Sequence, residues 1–252
     1  MHGLRKKKRP IFVSFSGIDG SGKTTQIESL CTQMKSRGLC VVLIRFWDDI
    51  AKLTQIRETA GHTLFKGDKG VGTPLSPVSR RDKNVRSWLM TWVRLIIYCI
   101  DSISTRIVVN KALCTAVDLI ICDRYIYDEL ANLTLHNPVV RFYIRLVMKV
   151  VPKPDISYVL DADPVKARAR KPEYPLEFLY TNRQSYLELS DLIGGMTIID
   201  PMPVHEVASV VLQCALAELS FRTSQRKSND DIAPRDNDLA RLDKPQTHPA
   251  AS

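Results

Sequence analysis

The stretch that decides the fold is IFVSFSGIDGSGKTTQ, residues 11–26. Residues 11–15 form a short run of residues that favour β-structure, and a glycine-rich turn follows. Residues 24–37 then carry apolar side chains at intervals of three and four, which predicts a helix. The turn itself, GIDGSGKT at residues 17–24, matches the pattern G-x-x-x-x-G-K-[ST] in the context that this motif requires.

The chemistry of this loop indicates a nucleotide site. Its glycines let backbone N–H groups turn inward around phosphates, Lys23 would reach the β- and γ-phosphates, and the Thr24 hydroxyl would bind Mg²⁺. We therefore expect ATP and Mg²⁺ as cofactors. The predicted nucleotide-binding residues are Gly17, Ile18, Asp19, Gly20, Ser21, Gly22, Lys23, Thr24 and Thr25. The alternative is a tight strand–helix turn that matches by coincidence at five fixed positions.

A second functional pair follows the apolar run LIIC, residues 119–122, which we predict to be a strand. Asp123 ends that run and Arg124 comes next. A carboxylate at the carboxyl end of a central parallel strand lies beside the phosphate loop. Asp123 would hold Mg²⁺ or orient the acceptor, and Arg124 would bind an acceptor phosphate through its fork of N–H groups. The alternative is an Asp–Arg pair that only caps the strand.

The order of elements along the chain predicts an α/β fold. Apolar strands at residues 11–15, 40–44, 119–122, 156–160 and 196–199 alternate with helices at 24–37, 87–113, 139–150, 164–192 and 203–219. This alternation is typical of a parallel sheet covered by helices on both faces. We place the domain at residues 11–221, between a basic N-terminal tail, 1–10, and a disordered C-terminal tail, 222–252.

The segment between the second strand and the long helix has two further features. Residues 48–57 are interpreted as a short helix, and residues 61–86 as a long loop with basic residues at 80, 81, 83 and 86. That basic cluster is either a solvated surface or a contact for an anion. Trp88 and Trp92, four residues apart on the predicted helix, are interpreted as core residues; the alternative is that they and Trp47 supply a stacking surface for a base.

Composition excludes a wholly disordered or collagen-like chain. The chain has 252 residues, 44% hydrophobic and 25% charged, which is an ordinary globular balance. Of the net charge of +9, residues 1–10 carry +5 and residues 222–252 carry +1, so the remaining +3 does not indicate a nucleic-acid-binding protein. The six cysteines show no metal-ligand spacing and no apolar run is long enough to span a membrane, so we expect a reduced, cytoplasmic protein.

Three segments together resemble the thymidylate kinase family of nucleoside monophosphate kinases. They are SFSGIDGSGKTTQ at 14–26, ICDRYIYDELA at 121–131 and LDADPVKARARKPEYPLEFLYTNRQSYLEL at 160–189. The order of motifs matches over residues 11–220. The resemblance implies a P-loop NTPase fold with a five-stranded parallel sheet and a short arginine-containing lid. It also implies ATP–Mg²⁺ as donor, dTMP as the default acceptor, and a homodimer through the long helix, residues 88–113.

The resemblance also assigns roles to single residues. Asp19 would bind the 3′-hydroxyl of the acceptor sugar, and Asp123 and Arg124 match the DR pair of the family. The lid would fall on Arg168, Arg170 and Lys171, after the strand end LDADP at 160–164. Members with glycine at the position of Gly20 take their catalytic arginine from the lid. The family's candidates for substrate binding and catalysis fall on four arginines. Arg45 would contact the acceptor phosphate, and Arg168 and Arg170 belong to the lid with Lys171. Arg183, together with Tyr186, matches the helix after the lid.

Departures from the family lie at the positions that read the base. The family's base-binding arginine on the long helix aligns with Ser102, and its SSLAYQ segment is replaced by DELANL, residues 128–133. Asp49 stands where some members carry a phosphate-binding arginine. Two alternatives therefore accompany dTMP kinase activity: a kinase of this fold acting on a different nucleoside or nucleotide, and a catalytically weak nucleotide-binding protein. The lid arginines have their own alternative, a solvated helix face.

Overall fold

A parallel sheet of five strands lies at the centre of the protein, whose computed structural model describes residues 9–51 and 88–232. The spatial order is β2-β3-β1-β4-β5, and every pairing is parallel. The strands are β1 (Ile11–Ser16), β2 (Val41–Arg45), β3 (Leu119–Asp123), β4 (Ile156–Leu160) and β5 (Thr197–Ile199). The predicted α/β fold with a five-stranded parallel sheet is confirmed.

Helices connect the strands, as the right-handed crossovers of a parallel sheet require. They are α1 (Lys23–Ser36), α2 (Trp88–Leu113), α3 (Ile126–Leu130), α4 (Pro138–Val150), α5 (Pro164–Arg170), α6 (Leu176–Ile193) and α7 (Val204–Ile232). Where we predicted a helix over 48–57, a π-helical turn occupies Phe46–Ile50. The predicted loop 61–86 and its basic cluster lie outside the described residues.

The two strands beside the phosphate loop are buried. All of β1 and the first four residues of β3 are buried, which is why both read as apolar runs. Phe15 of β1 and Arg45 of β2 both pair with Asp123 of β3. The carboxyl ends of these three strands are therefore level, and the segments that follow them share one edge of the sheet.

The C-terminal helix α7 extends beyond the predicted boundary at residue 221. Contacts divide the chain into two compact units, the first ending at Leu212 and the second beginning at Gln213. Helix α7 continues to Ile232, so residues 222–232 of the expected tail are helical. Residues 233–252 lie outside the described residues, as do residues 1–8 of the basic tail. The domain limits 11–221 stay a prediction.

The structure also bears on the packing of Trp92 and on the length of apolar helices. Trp92 is 46% exposed, so the prediction that it packs in the core is wrong. Among the described residues, one helical segment, Val204–Gln225 of α7, is long and apolar enough to cross a bilayer. Length and composition alone are weak evidence of a membrane span.

Candidate active site

The loop between β1 and α1 is folded so that only glycine fits at two positions. Gly17, Gly20 and Gly22 all have positive φ, 138°, 82° and 94°. A Cβ on Gly17 would lie 2.5 Å from the carbonyl oxygen of Leu160. A Cβ on Gly20 would overlap the carbonyl oxygen of Ala167. The loop therefore touches the backbone at the end of β4 and the backbone of α5.

Lys23 lies buried inside this loop, with 6% of its surface exposed. Its Nζ donates hydrogen bonds to the carbonyl oxygens of Gly17 and Ile18, both at 2.8 Å. Burial, and after it the nearby Arg124 guanidinium, lowers the pKa of Lys23 to about 7, although neighbouring carboxylates oppose the shift. The ammonium group is thus held where it lacks water and where phosphate charge would stabilise it.

The amino end of α1 is open to an anion. Gly22 precedes the helix in a left-handed conformation, no side chain caps it, and its first turn carries no acidic residue. Thr24 and Thr25 are exposed there. Free N–H groups and the helix dipole at such an end favour phosphate oxygens. The glycine-lined loop and this helix end fit the phosphates of ATP.

A magnesium ion also fits the side chains at this edge. Thr24 offers a hydroxyl oxygen and Asp123 a partly buried carboxylate at the end of β3. In the part of the chain that the structure describes, no group of three or more histidine, cysteine or acidic residues could hold a metal ion. A sparse set of oxygen ligands suits Mg²⁺, which takes one or two carboxylates and completes its shell with phosphates and water.

Arg124 joins the phosphate loop to the β3 end. Its backbone N–H donates to Phe15 of β1 at 3.1 Å, and its φ is +66°. Its Nη2 pairs with Asp19 of the loop, and its Nη1 lies 3.1 Å from Oδ1 of Asp128. Burial disfavours the charge of Arg124, but the two carboxylates outweigh it and raise its pKa above the usual value. The guanidinium therefore stays charged between two anions.

The main feature of the site that the sequence did not predict is the contact between Asp128 and Arg124. The sequence places Asp128 only in the segment DELANL, which replaces base-binding residues of the family. Its side chain is 3% exposed and accepts hydrogen bonds from Ser16 and Tyr186 as well as from Arg124. One local signal was present: Asp128 lies four residues after Arg124, so the two opposite charges are close along the chain, although Arg124 itself precedes helix α3.

Helix α5, which carries the predicted lid residues Arg168 and Arg170, lies beside the loop. Helix α5 is capped by Asp163, which accepts from the Val165 amide at 2.8 Å. Arg168 is partly buried and its Nε donates to Tyr174 O at 3.2 Å, whereas Arg170 is exposed. The following Lys171 reaches back, with Nζ 3.9 Å from Oδ1 of Asp19. The lid therefore contacts the phosphate loop through the backbone of Ala167 and through the ion pair of Lys171 with Asp19.

Two predicted substrate-binding arginines have different surroundings. Arg45 is exposed at the end of β2, level with Asp123. Arg183 on α6 forms a two-pronged ion pair with Asp161, with both N–O distances 2.6 Å. Asp161 directly follows β4, so Arg183 is held at the same edge of the sheet but is already paired with a carboxylate.

The sheet order, the glycine loop between β1 and α1, and the acid–arginine pair after β3 define a P-loop kinase. Three proteins of similar sequence are named as thymidylate kinases. The probable thymidylate kinase of Methanosphaera stadtmanae is 27% identical over 205 residues, 78% of this chain and 92% of its own. That of Pyrococcus abyssi is 27% identical over 224 residues, 84% and 98% of the two chains. The thymidylate kinase of Bifidobacterium longum is 25% identical over 221 residues, 83% and 98%.

These similarities extend along nearly the full length of each relative. No protein-family profile matches the chain. More than three quarters of this chain thus aligns with proteins named thymidylate kinase at 25–27% identity, and this is the family that the three sequence motifs resemble.

Proposed function

We propose that this protein transfers the γ-phosphoryl group of ATP to dTMP, giving dTDP and ADP. The relatives named thymidylate kinase support this acceptor. The observation that carries the proposal is the convergence of Lys23, Asp123 and Arg124. The buried lysine belongs to the loop after β1, and the acid–arginine pair ends the neighbouring strand β3. Transfer of a phosphoryl group needs this combination of positioning and positive charge.

Each residue of the loop edge has a proposed role in that reaction. Lys23 and the α1 amides bind the phosphates of ATP. Thr24 and Asp123 would hold Mg²⁺, which would supply positive charge to neutralise the phosphates. Arg124 binds the acceptor phosphate, and Asp19 binds the acceptor sugar as well as pairing with Arg124.

The lid supplies the remaining positive charge. Arg168 and Arg170 belong to α5, whose backbone touches the loop at Gly20. Charge that develops on the transferred phosphoryl group would be stabilised from this side. Arg45 at the end of β2 is proposed as a further contact for the acceptor phosphate. Arg183 is proposed to bind substrate at the end of β4 while it holds Asp161.

The test is release of ADP from ATP–Mg²⁺ across a panel of nucleoside monophosphates and nucleosides. We expect the highest kcat/KM with dTMP. Lys23→Ala should lower kcat by about a thousandfold or more, because it removes a phosphate-binding cation. Lys111→Ala is the matched control, since Lys111 is exposed in the last turn of α2. A peak with another acceptor would reassign the pocket, and no turnover with any acceptor would favour a nucleotide-binding protein.

The long helix supports a homodimer in the same proposal. On α2, Ile96, Ile103 and Ile107 are 61%, 55% and 63% exposed, and they share one face of the helix. On α4, Phe142 and Leu146 are also exposed. Apolar surface of this kind marks an interaction site more often than a solvated face. We further propose a cytoplasmic enzyme with nucleotides, rather than nucleic acid or membrane, as its partners.

A further inference from the structure

Arg124 has an unusual backbone conformation. Its φ of +66° makes it the one residue other than glycine with positive φ in the described parts of the chain. Such a conformation is strained and persists only where the surroundings hold it. One restraint is the hydrogen bond from its amide to Phe15 O. That bond fixes the backbone but not the direction of the guanidinium, which is the part that would meet an acceptor phosphate.

Asp128 is held independently of Arg124. Its Oδ2 accepts from Ser16 Oγ at 2.6 Å and from the Tyr125 amide at 3.3 Å, while its Oδ1 accepts from Tyr186 Oη at 2.8 Å. These donors come from β1, from the amino end of α3 and from α6. The carboxylate is therefore fixed from three directions before its contact with Arg124 is counted. The anchor in this pair is Asp128.

The residue at this position has to be a carboxylate. Oδ2 faces the Tyr125 amide and Oδ1 faces Nη1 of Arg124, and both of these groups donate hydrogen bonds but cannot accept them. An asparagine would turn an NH₂ group towards one of the two. Serine has one oxygen in place of two. Aspartate is the side chain of this size that satisfies both donors and also balances the buried guanidinium.

We propose that Asp128 is a positioning residue for the acceptor site. It holds the Arg124 guanidinium beside Asp19, so that the remaining N–H groups of Arg124 meet the acceptor phosphate. The Arg124–Asp128 distance of 3.1 Å carries this inference, together with the low exposure of the two side chains, 16% and 3%. Its kinetic consequence rests on the proposed function, but the clamping of Arg124 does not.

The first experiment observes the clamp directly. In protein labelled with nitrogen-15 arginine, a guanidinium that cannot rotate gives separate Nη signals, and Arg124→Lys identifies those of Arg124. We expect these signals to collapse in Asp128→Asn and to persist in Tyr186→Phe. The second variant is the matched control, because it removes one neutral hydrogen bond from the same carboxylate but keeps the charge and both obligate donors. Persistence of the signals in Asp128→Asn would overturn the proposal.

The second experiment separates positioning from folding. For Asp128→Asn we expect the KM for dTMP to rise at least about tenfold, the cost of disturbing a charge-assisted hydrogen bond, with the KM for ATP nearly unchanged. Tyr186→Phe should lower Tm while leaving the KM for dTMP close to that of the wild type. Equal changes in both KM values would contradict the proposal. A wild-type protein inactive with dTMP would overturn the proposed function alone, because the NMR signals still decide whether Asp128 clamps Arg124.

Discussion

The buried amine of Lys23 links proton binding to nucleotide binding. Its pKa of about 7 in the free protein results mainly from burial, with Arg124 as the next cause. Phosphate oxygens beside the amine would favour its charged form and raise that pKa. At pH 8 the free protein is mostly deprotonated at Lys23, so ATP binding should take up a proton. At pH 6 the amine is protonated in both states and no uptake is expected.

This proton uptake can be measured by calorimetry of ATP binding in buffers with different ionisation enthalpies. We expect uptake of up to one proton at pH 8 and almost none at pH 6. Lys23→Met removes the titrating group and should abolish the difference between the two pH values. Equal uptake at both pH values in the wild type would show that Lys23 is not the group that responds to phosphate.

At the residue scale, the sequence predicts what is local. The loop lysine, Asp123 and Arg124 belong to motifs of a few adjacent residues whose chemistry is defined by spacing. The role of Asp128 depends instead on Ser16 and Tyr186, which lie 112 and 58 residues away in the chain. No pattern within a short window contains that arrangement. The pairing of Arg183 with Asp161, 22 residues apart, was missed for the same reason.

At the scale of elements, the contact between the phosphate loop and α5 has a direct test. Gly20 and Gly22 both have positive φ, so alanine at either position adopts a strained backbone. A Cβ on Gly22 meets nothing within 4 Å, whereas one on Gly20 would overlap the Ala167 backbone. Gly20→Ala should therefore lower the free energy of unfolding by about 1–3 kcal/mol more than Gly22→Ala. Urea unfolding of both variants measures this difference, and equal losses would mean that α5 does not rest on the loop.

The strands were predicted to within a residue or two because buried parallel strands are continuous apolar runs. The turn after β2 was not predicted. Its geometry depends on the Ala51 amide donating to Phe46 O at 2.9 Å and on Asp49 accepting from the Arg45 amide at 2.7 Å. The same five residues could equally form the first turn of an α-helix. Local periodicity cannot distinguish the two over five residues.

At the scale of the whole molecule, the proposed homodimer would form through the exposed face of α2. Helices α2 and α4 are tied together by hydrogen bonds from Tyr143 Oη to Leu95 O at 2.8 Å and from Arg106 Nη1 to Val150 O at 2.9 Å. The two helices are therefore neighbours, and both carry exposed apolar side chains. The sequence predicted the apolar helix, but which side chains face outward depends on the sheet and on α4.

Light scattering after size exclusion should give a mass twice the chain mass of 28.5 kDa. Ile103→Asp should return the protein to the mass of one chain, because pairing the surfaces would then bury a carboxylate without a partner at a cost of several kcal/mol. Tyr180→Asp is the matched control, since Tyr180 is 49% exposed on α6 and lies outside this face. A wild-type mass of one chain would contradict the dimer. Two chains in both variants would place the interface elsewhere. Since α2 also packs against α3, which carries Asp128, dimerisation through α2 would stabilise the element that holds the acceptor site.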